Sequence, residues 1–398
     1  MRHPGLLGFL LTVSVGAAAQ VAYTPGESYY SPNGYIEYIA GNMPLVISAP
    51  HGGALQPASI PDRNCGGCVY TNDAFTEELS RAVFSGIHDR TGCYPHLIIN
   101  HLHRRKLDAN RAVAEAADGN LDAAQAWGYF HQFISTARSR VSVDFGKGLY
   151  VDLHGHGHAI QRLELGYLLY EDELQLGDAV LNSPTYIAYS SLRHLTGDNP
   201  GNHPHAALLR GAVSLGHLLG ETGHPAVPSP QDPFPLPGEP YFEGGYNTAR
   251  HSSVDGGMVD GVQIECHQSV RFDPLAREAF AEDLAAGLSD FLAIHYLPPP
   301  AAFCQTTASP EPPGKAFSTA VHPNPACGPV YVAAVPHALD FLLFDATGRL
   351  LRSEPLPADG MTVDLGSLPA GLYTWVVRTR SAQALSGTLA KTCAAGRY

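Results

Sequence analysis

The sequence is poor in charge and, beyond its N-terminal segment, has no long hydrophobic run. Charged residues make up 15% of the chain, whereas roughly 25% is usual for soluble domains. The net charge is −13, with 24 Lys+Arg against 37 Asp+Glu. This balance argues against a nucleic-acid-binding protein, because phosphate affinity depends on clustered Lys and Arg. The lack of a Gly-x-Ser-x-Gly motif argues against a serine hydrolase, and the lack of a short repeat excludes collagen and coiled coils.

Histidine is abundant instead. The 398 residues include 20 His, and all of them except His322 and His337 precede residue 317. The hydrophobic content of 44% is sufficient for a sizeable core, and the length predicts about two to three domains. An acidic globular protein rich in histidine suggests metal binding.

The N-terminal segment 1–19 has the pattern of a secretory signal peptide. Arg2 supplies positive charge, residues 6–15 form an apolar core, and residues 17–19 (AAA) match a cleavage site. The apolar core is too short to span a membrane, which needs about 20 residues; a buried N-terminal helix is the alternative. We find no later candidate transmembrane segment, and we expect a mature protein that starts near Gln20 and is secreted or held at the cell surface.

The rest of the chain divides into three parts by composition. Residues 20–297 form a large domain, and residues 298–316 form a linker rich in Pro, Ser and Thr. Residues 317–398 contain short alternating runs that are separated by turn signals. Such runs predict a small C-terminal β-sandwich.

This C-terminal part resembles the type A sorting domain of type IX secretion. The resemblance rests on residues 322–325 (HPNP), 344–349 (FDATGR) and 365–373 (LGSLPAGLY), which occur in the expected order. It implies that the type IX secretion machinery is a partner and that the domain serves export and is often removed afterwards. An ordinary carbohydrate-binding sandwich is the alternative.

In the large domain, short apolar runs alternate with amphipathic segments. Strands are predicted at residues 45–49, 97–99, 149–153, 166–170 and 262–264. Helices are predicted at residues 73–87, 121–140, 206–219 and 273–294. This alternation predicts an α/β fold with a mostly parallel or mixed sheet and helices on both faces. In such folds ligands bind beyond the carboxyl ends of the strands.

Three predicted strands end next to residues that suit a zinc site. His51 follows the first strand, His154 the third and Glu265 lies at the end of the last. Two imidazoles and a carboxylate bind catalytic zinc, and a glutamate outside the metal shell can take a proton from water. We therefore expect one Zn²⁺ held by His51, His154 and an acidic residue, with Glu265 as general base. His156 and His158 could support the ligands or face solvent, and a structural salt bridge is the alternative for Glu265.

The acidic ligand is open between two residues. Asp73 opens the predicted helix 73–87, where a plain N-cap is the competing role. Asp62, in the segment 61–64 (PDRN), is the substitute candidate.

A basic cluster follows the second predicted strand, at residues 103–111 (HRRKLDANR). Arg111, beside Asn110, could hold a substrate carboxylate through paired hydrogen bonds. Either Arg104 or Arg111 could stabilise negative charge in a transition state. A solvated basic turn is the alternative.

Taken together, these residues resemble the N-formylglutamate amidohydrolase family, which is similar in fold to the zinc metallocarboxypeptidases. The matching segments are residues 48–53 (SAPHGG), Asp73, 107–111 (LDANR), 151–154 (VDLH) and 262–265 (VQIE). The resemblance implies a phosphorylase/hydrolase-like fold and metal-dependent cleavage of an amide next to a carboxylate. It also implies the roles given above for the two histidines, the acidic ligand, the glutamate and the Asn-Arg pair.

One departure concerns the acidic ligand. Carboxypeptidases place a ligand glutamate three residues after the first histidine, and this chain has Ala54 there. The acidic ligand must therefore come from another segment.

Export alters the expected substrate. Because formylglutamate is an intracellular metabolite, we expect an exported relative to cleave a small peptide or an N-acyl amino acid. The Gly-rich segment 195–251 could set specificity, with Tyr246, Arg250 and His251 as candidates for substrate contact. A secreted binding protein that keeps the fold without metal or catalysis is the rival interpretation.

Seven cysteines fit an oxidising location. Cys266 follows Glu265 on the opposite strand face, and we expect it to be a buried free thiol. For Cys65 and Cys68 a structural disulfide is favoured over a redox motif or half of a zinc site. The full pairing is open among Cys65, Cys68, Cys93, Cys304, Cys327 and Cys393.

Overall fold

The computed structural model describes residues 23–297, 303–304, 321–322, 326, 329–332, 338–345, 350–357, 360–379 and 384–391. The predicted signal peptide, most of the predicted linker, Cys327 and Cys393 lie outside the described residues. The chain divides into two compact units, with the boundary between Gln305 and Thr306.

The first unit is built on a mixed sheet of eight strands. These are β1 Ser28–Tyr30, β2 Ile36–Ile39, β3 Leu45–Ala49, β4 His96–Asn100, β5 Gly148–His156, β6 Leu163–Gly166, β7 Ala226–Val227 and β8 Val259–His267. They lie in the order β1-β2-β4-β3-β5-β8-β6-β7. Strands β4, β3, β5 and β8 are parallel, whereas β2 and β6 join them antiparallel.

Helices cover both faces of this sheet. They are α1 Thr76–Thr91, α2 Val113–Ala117, α3 Leu121–Phe145, α4 Glu171–Leu174, α5 Asp178–Leu181, α6 Pro184–Tyr189, α7 Arg193–Gly197, α8 His205–Arg210, α9 Leu215–Glu221, α10 Tyr246–His251 and α11 Pro274–His295. Two short 3₁₀ turns, Ser253–Asp255 and Gln268–Val270, flank β8. The α1 and α11 helices share one apolar core with the sheet, and α3 packs in the other. The predicted α/β fold class is confirmed.

Side-chain alternation makes the two faces of the central strands chemically different. In β5, Val151 and Leu153 belong to the core beneath α1 and α11. Asp152 and His154 alternate with them and therefore lie on the opposite face. We call the face that carries Asp152 and His154 the polar face; it is apolar at Tyr150, which packs in the core with α3, and polar towards the carboxyl end of β5.

Two sequence predictions about local structure are wrong. The predicted helix 206–219 is two helices, α8 and α9, because the chain leaves the helix at Gly211 and restarts where Ser214 accepts a hydrogen bond from the amide of His217. The predicted strand 166–170 lies earlier, as β6, because Leu168 has a φ of 65°, which a strand does not accommodate. The predicted long helix after Asp273-Pro274 is confirmed, with the Asp273 side chain accepting from the amide of Ala276.

Four of the six cysteines whose pairing was open lie among the described residues. Disulfides join Cys65 to Cys68 and Cys93 to Cys304, and Cys266 is a buried free thiol. The expected structural disulfide and the expected free thiol are therefore confirmed.

The second unit is a small β-sandwich, as predicted. One sheet contains β9 Val321–His322, β10 Val330–Val332 and β13 Met361–Val363. The other contains β11 Ala338–Phe344, β12 Leu350–Pro355, β14 Gly371–Thr379 and β15 Ala384–Lys391. Val332, Phe341 and Trp375 help to form the core between the sheets. Among the described residues, we find no helix with the length and apolarity needed to cross a bilayer.

Candidate metal centre

The polar face of the central sheet ends in a buried cluster of titratable side chains. His51 follows β3, His154 lies near the end of β5, and Glu265 lies on β8 directly opposite His154 in the strand register. Because these strands are parallel, their carboxyl ends meet at one edge of the sheet. Asp73 joins them from the segment before α1.

Asp73 lies between the two histidines. Its Oδ2 is 3.2 Å from Nδ1 of His51 and 3.0 Å from Nδ1 of His154. The backbone amide of Gly155 donates to the same oxygen at 3.3 Å. Atoms from the three side chains that could ligate a metal lie within 4.8 Å of one another, and all three residues are buried. These residues could bind a metal ion.

The N-cap role considered for Asp73 is wrong. Helix α1 begins at Thr76 with Phe75 as its N-cap residue, and no side chain makes the capping hydrogen bond. The Asp73 backbone carbonyl contacts the start of the helix, by accepting from the amide of Thr76 at 3.2 Å and from its hydroxyl at 2.8 Å. The Asp73 carboxylate is therefore free to face the histidines. Asp62, the other candidate, is exposed and pairs with Lys106 at 2.9 Å.

In each histidine, the ring nitrogen that faces away from Asp73 contacts a second carboxylate. Nε2 of His51 is 2.7 Å from Oδ1 of Asp108, and Nε2 of His154 is 2.8 Å from Oδ2 of Asp152. Each carboxylate accepts a hydrogen bond from Nε2–H, which leaves Nδ1 as the nitrogen that faces Asp73. Histidines that bind metals characteristically donate their other ring N–H to such an acceptor. The arrangement of the two histidines therefore matches that of metal-binding histidines.

The charges of the cluster favour a cation. Burial opposes ionisation of Asp73, but the positive field of His51 and the hydrogen bond from His154 outweigh it and hold the pKa of Asp73 well below its usual value. Burial also lowers the pKa of His154, but the charge and hydrogen bond of Asp152 outweigh it and raise that pKa well above its usual value. The cluster thus holds positive charge strongly, and a divalent ion would supply that charge in place of protons.

Glu265 lies beside the ligand set without being part of it. Its Oε1 is 4.0 Å from Nδ1 of His154 and accepts a hydrogen bond from Nε2 of Gln263 at 2.9 Å. Burial raises the pKa of Glu265, and the nearby charge of His154 offsets this only in part. A carboxylate with a raised pKa can both take and return a proton near neutral pH.

The cluster opens into a cavity of about 290 Å³. Arg104 and Arg111 line this cavity together with Asp73, His154 and Glu265. The guanidinium group of Arg104 bridges Asp73 and Asp108, at 3.3 and 3.0 Å. Arg111 is bound to Glu115 at 3.1 Å and is partly exposed, so its guanidinium group lies where a ligand can reach it.

Asn110 is fixed inside the cluster. Its Oδ1 accepts from the amide of Asn247 at 2.8 Å, and its Nδ2 is 3.4 Å from Nε2 of His154. This arrangement requires a glycine at Gly245, because a Cβ there would lie 2.4 Å from Nδ2 of Asn110. The loop 242–245 therefore closes one side of the cavity by direct contact with Asn110.

The remaining sequence candidates lie elsewhere. Tyr246 and Arg250 are not among the residues that line the cavity; Nη1 of Arg250 donates to the Tyr246 hydroxyl at 3.0 Å, and the guanidinium group lies 5.2 Å from the ring of Trp127. His251 is buried against His131, with 2.8 Å between their ring nitrogens. Burial lowers the pKa of His251 to about 2, so this histidine is neutral.

Sequence reasoning assigned no role to Asp108, Asp152 or Gln263, which position the site residues. One signal was available for Asp152: it precedes His154 by two residues on a strand, and such residues share a face. Gln263 and Glu265 repeat the same spacing on β8. Asp108 carries no comparable signal, because a loop brings it to His51.

Comparison with known proteins finds similar folds at low identity. No family model matches the chain, and no curated protein matches it. The chain is similar to a solved gene product of Agrobacterium tumefaciens, with 14% identity over 65% of this chain and 95% of that one and a TM-score of 0.39. It is also similar to the N-formylglutamate amidohydrolase of Ralstonia eutropha JMP134, with 14% identity, 64% and 95% coverage and a TM-score of 0.38. At these values the likeness carries no functional argument, so the function rests on the site.

Proposed function

We propose that this chain is an exported, zinc-dependent hydrolase that cleaves an amide or peptide bond next to a carboxylate. The substrate is either a small peptide, cut in the manner of a carboxypeptidase, or an N-acyl amino acid. The observation that carries the proposal is the position of Asp73 between His51 and His154, beside Glu265 and open to a cavity that Arg111 lines.

Each part of the site has a task in this reaction. His51, Asp73 and His154 would hold the ion, with Asp108 and Asp152 fixing the two imidazoles. Zinc in such a site supplies Lewis acidity, which lowers the pKa of water and polarises a carbonyl group.

The protein's own groups move the proton and bind the anions. Glu265 takes a proton from the attacking water onto its carboxylate and later delivers it to the leaving nitrogen. The raised pKa of Glu265 suits both steps, and the hydrogen bond from Gln263 holds Oε1 in place. Arg111 would hold the substrate carboxylate, and Arg104 would stabilise negative charge that develops at the scissile carbonyl.

The proposal is tested by measuring hydrolysis of N-acyl amino acids and of peptides with free C-termini, using the full chain. Activity should disappear when a chelator removes the metal and return when Zn²⁺ is added. A protein with no metal by elemental analysis and no effect of chelators would instead be the binding protein that keeps the fold without catalysis. Export is tested separately, by locating the protein in a host with type IX secretion before and after deletion of residues 317–398.

A further inference from the structure

A second cluster of potential metal ligands lies beyond the first on the same sheet. His156 ends β5, His158 follows it, and Glu164 lies on β6. Potential ligand atoms of these three side chains lie within 4.8 Å of one another. We propose that His156, His158 and Glu164 form a second site for a divalent transition-metal ion such as zinc, distinct from the site of the proposed function.

The ring of His156 is oriented for metal binding. Its Nε2 is 2.9 Å from the carbonyl oxygen of Arg162, and because a carbonyl only accepts, this nitrogen carries the proton. Nδ1 therefore presents a lone pair, and it lies 3.8 Å from Oε1 of Glu164, too far for a hydrogen bond. The backbone amide of His158 donates a hydrogen bond to this nitrogen at 3.2 Å, and a bound metal ion would replace that hydrogen bond. A carbonyl acceptor behind a ligand imidazole is a usual feature of metal sites.

Glu164 is a buried carboxylate whose ion-pair partners are the two histidines of the cluster. The residue is fully buried, and a buried carboxylate is costly unless it is paired. Its Oε2 accepts from the amide of Phe242 at 2.9 Å, and its Oε1 accepts from Nδ1 of His158 at 2.8 Å. Within the described part of the chain, the ion-pair partners of Glu164 are histidines and not Lys or Arg. A divalent ion bound at Oε1 would place positive charge beside this buried carboxylate.

His158 is the third potential ligand of the proposed site, and its exposure lets ions reach the site. Its side chain is 23% exposed, so the cluster can exchange ions with solvent. The ring stacks on Phe242 with 5.0 Å between centroids, which restricts its orientation. Two imidazole nitrogens and one carboxylate oxygen suit zinc and similar divalent ions, and water can fill a fourth position.

The two sites share one face of the sheet but no ligand. His156 lies two residues after His154 on β5, and Glu164 lies opposite Glu265 in the β6–β8 register. Substitutions at the second cluster can therefore be made without removing a ligand of the first.

Metal content distinguishes the two sites. The full chain is stripped of metal, reloaded with Zn²⁺, freed of excess ion and measured by elemental analysis. We expect about two ions per chain for the unaltered protein and about one for each of His158→Gln, Glu164→Gln and Asp73→Asn. His224→Gln is the matched control, because His224 has a carboxylate partner, Asp283 at 2.9 Å, but belongs to no group of three potential ligands among the described residues; it should retain about two ions.

The proposal is overturned if neither His158→Gln nor Glu164→Gln lowers the metal content. If the protein holds one ion that His158→Gln removes and Asp73→Asn leaves, the second site stands and the metal centre of the proposed function fails. Circular dichroism checks the fold of each variant. Should Glu164→Gln unfold, His158→Gln decides alone, supported by Co²⁺ titration followed by visible absorption.

Discussion

Nε2 of His154 lies 2.8 Å from Oδ2 of Asp152, and both side chains come from the same face of β5. The two residues are buried, and Asp152 also accepts from the Ser48 hydroxyl at 2.5 Å. The carboxylate fixes the ring so that Nδ1 faces Asp73. Residues of one strand therefore orient this candidate metal ligand.

Replacing this second carboxylate should weaken metal binding. We expect Asp152→Asn to lower metal affinity about 10- to 100-fold, because the neutral amide is a weaker acceptor for Nε2–H than the carboxylate that fixes the tautomer of the imidazole. Asp108→Asn should act similarly through His51. Competition with a chelator of known affinity measures the change. Asp290→Asn, in an exposed ion pair with Arg90, is the control and should bind metal normally; equal affinities in all variants would contradict the role assigned to Asp152.

Arg111 should matter for substrates that carry a carboxylate. Hydrogen bonds to charged groups contribute about 1.5–3 kcal/mol, so Arg111→Ala should reduce kcat/KM about 10- to 100-fold for a free carboxylate. The same substrate as a carboxamide should lose much less. Because Arg250 stacks on Trp127 away from the cavity, Arg250→Ala should have a smaller effect. An equal loss for both substrates in Arg111→Ala would remove the assignment.

Gly245 should not tolerate a side chain. Its Cβ would lie 2.4 Å from Nδ2 of Asn110, so Gly245→Ala must displace Asn110 or the loop that lines the cavity. We expect the free energy of unfolding to fall by about 1–3 kcal/mol and hydrolysis to decrease. Gly128→Ala, in α3 with no atom near its Cβ, is the matched control and should stabilise the protein by about 0.5–1 kcal/mol. Chemical denaturation measures both variants, and equal effects would contradict the steric account.

Buried neutral histidines should make the protein lose stability in acid. Burial lowers the pKa of His96 from 6.5 to about 3. Below pH 6.5, His96 therefore binds a proton in the unfolded chain but not in the folded protein. The free energy of unfolding falls as the pH decreases towards 3. Each such group contributes about 1.4 kcal/mol per pH unit inside this window. Urea unfolding at pH 7, 6 and 5 should show a shallower pH dependence for His96→Gln than for the unaltered protein; identical slopes would contradict the neutral state of His96.

The features that could be predicted from the sequence follow from the alternation of short apolar runs with amphipathic helical segments. The apolar runs of β3, β5 and β8 identified the central strands, and their carboxyl ends identified His51, His154 and Glu265, which the structure brings to one cluster. The fold class follows from the same alternation with helices. Asp73 was one of two candidates, and only the tertiary structure separates it from Asp62.

The missed features depend on contacts between distant segments. Asp108 reaches His51 from a loop 57 residues away, and no local pattern predicts that contact. Strands β1 and β2, at one side of the sheet, are only three and four residues long and were not predicted; the antiparallel pairing of β2 with β4 joins them to the central strands. The end of β6 is set by the backbone at Leu168, whose φ of 65° an apolar sequence does not reveal.

The most direct test of the proposed function is Glu265→Gln, with metal content and amide hydrolysis measured on the same preparation. Glutamine keeps the size of the side chain and its contact with Gln263 but cannot take a proton from water. We predict unchanged metal content and a loss of about 10²- to 10⁴-fold in kcat. Full activity with metal bound would contradict the assignment of Glu265 as the general base and, with it, the proposed mechanism.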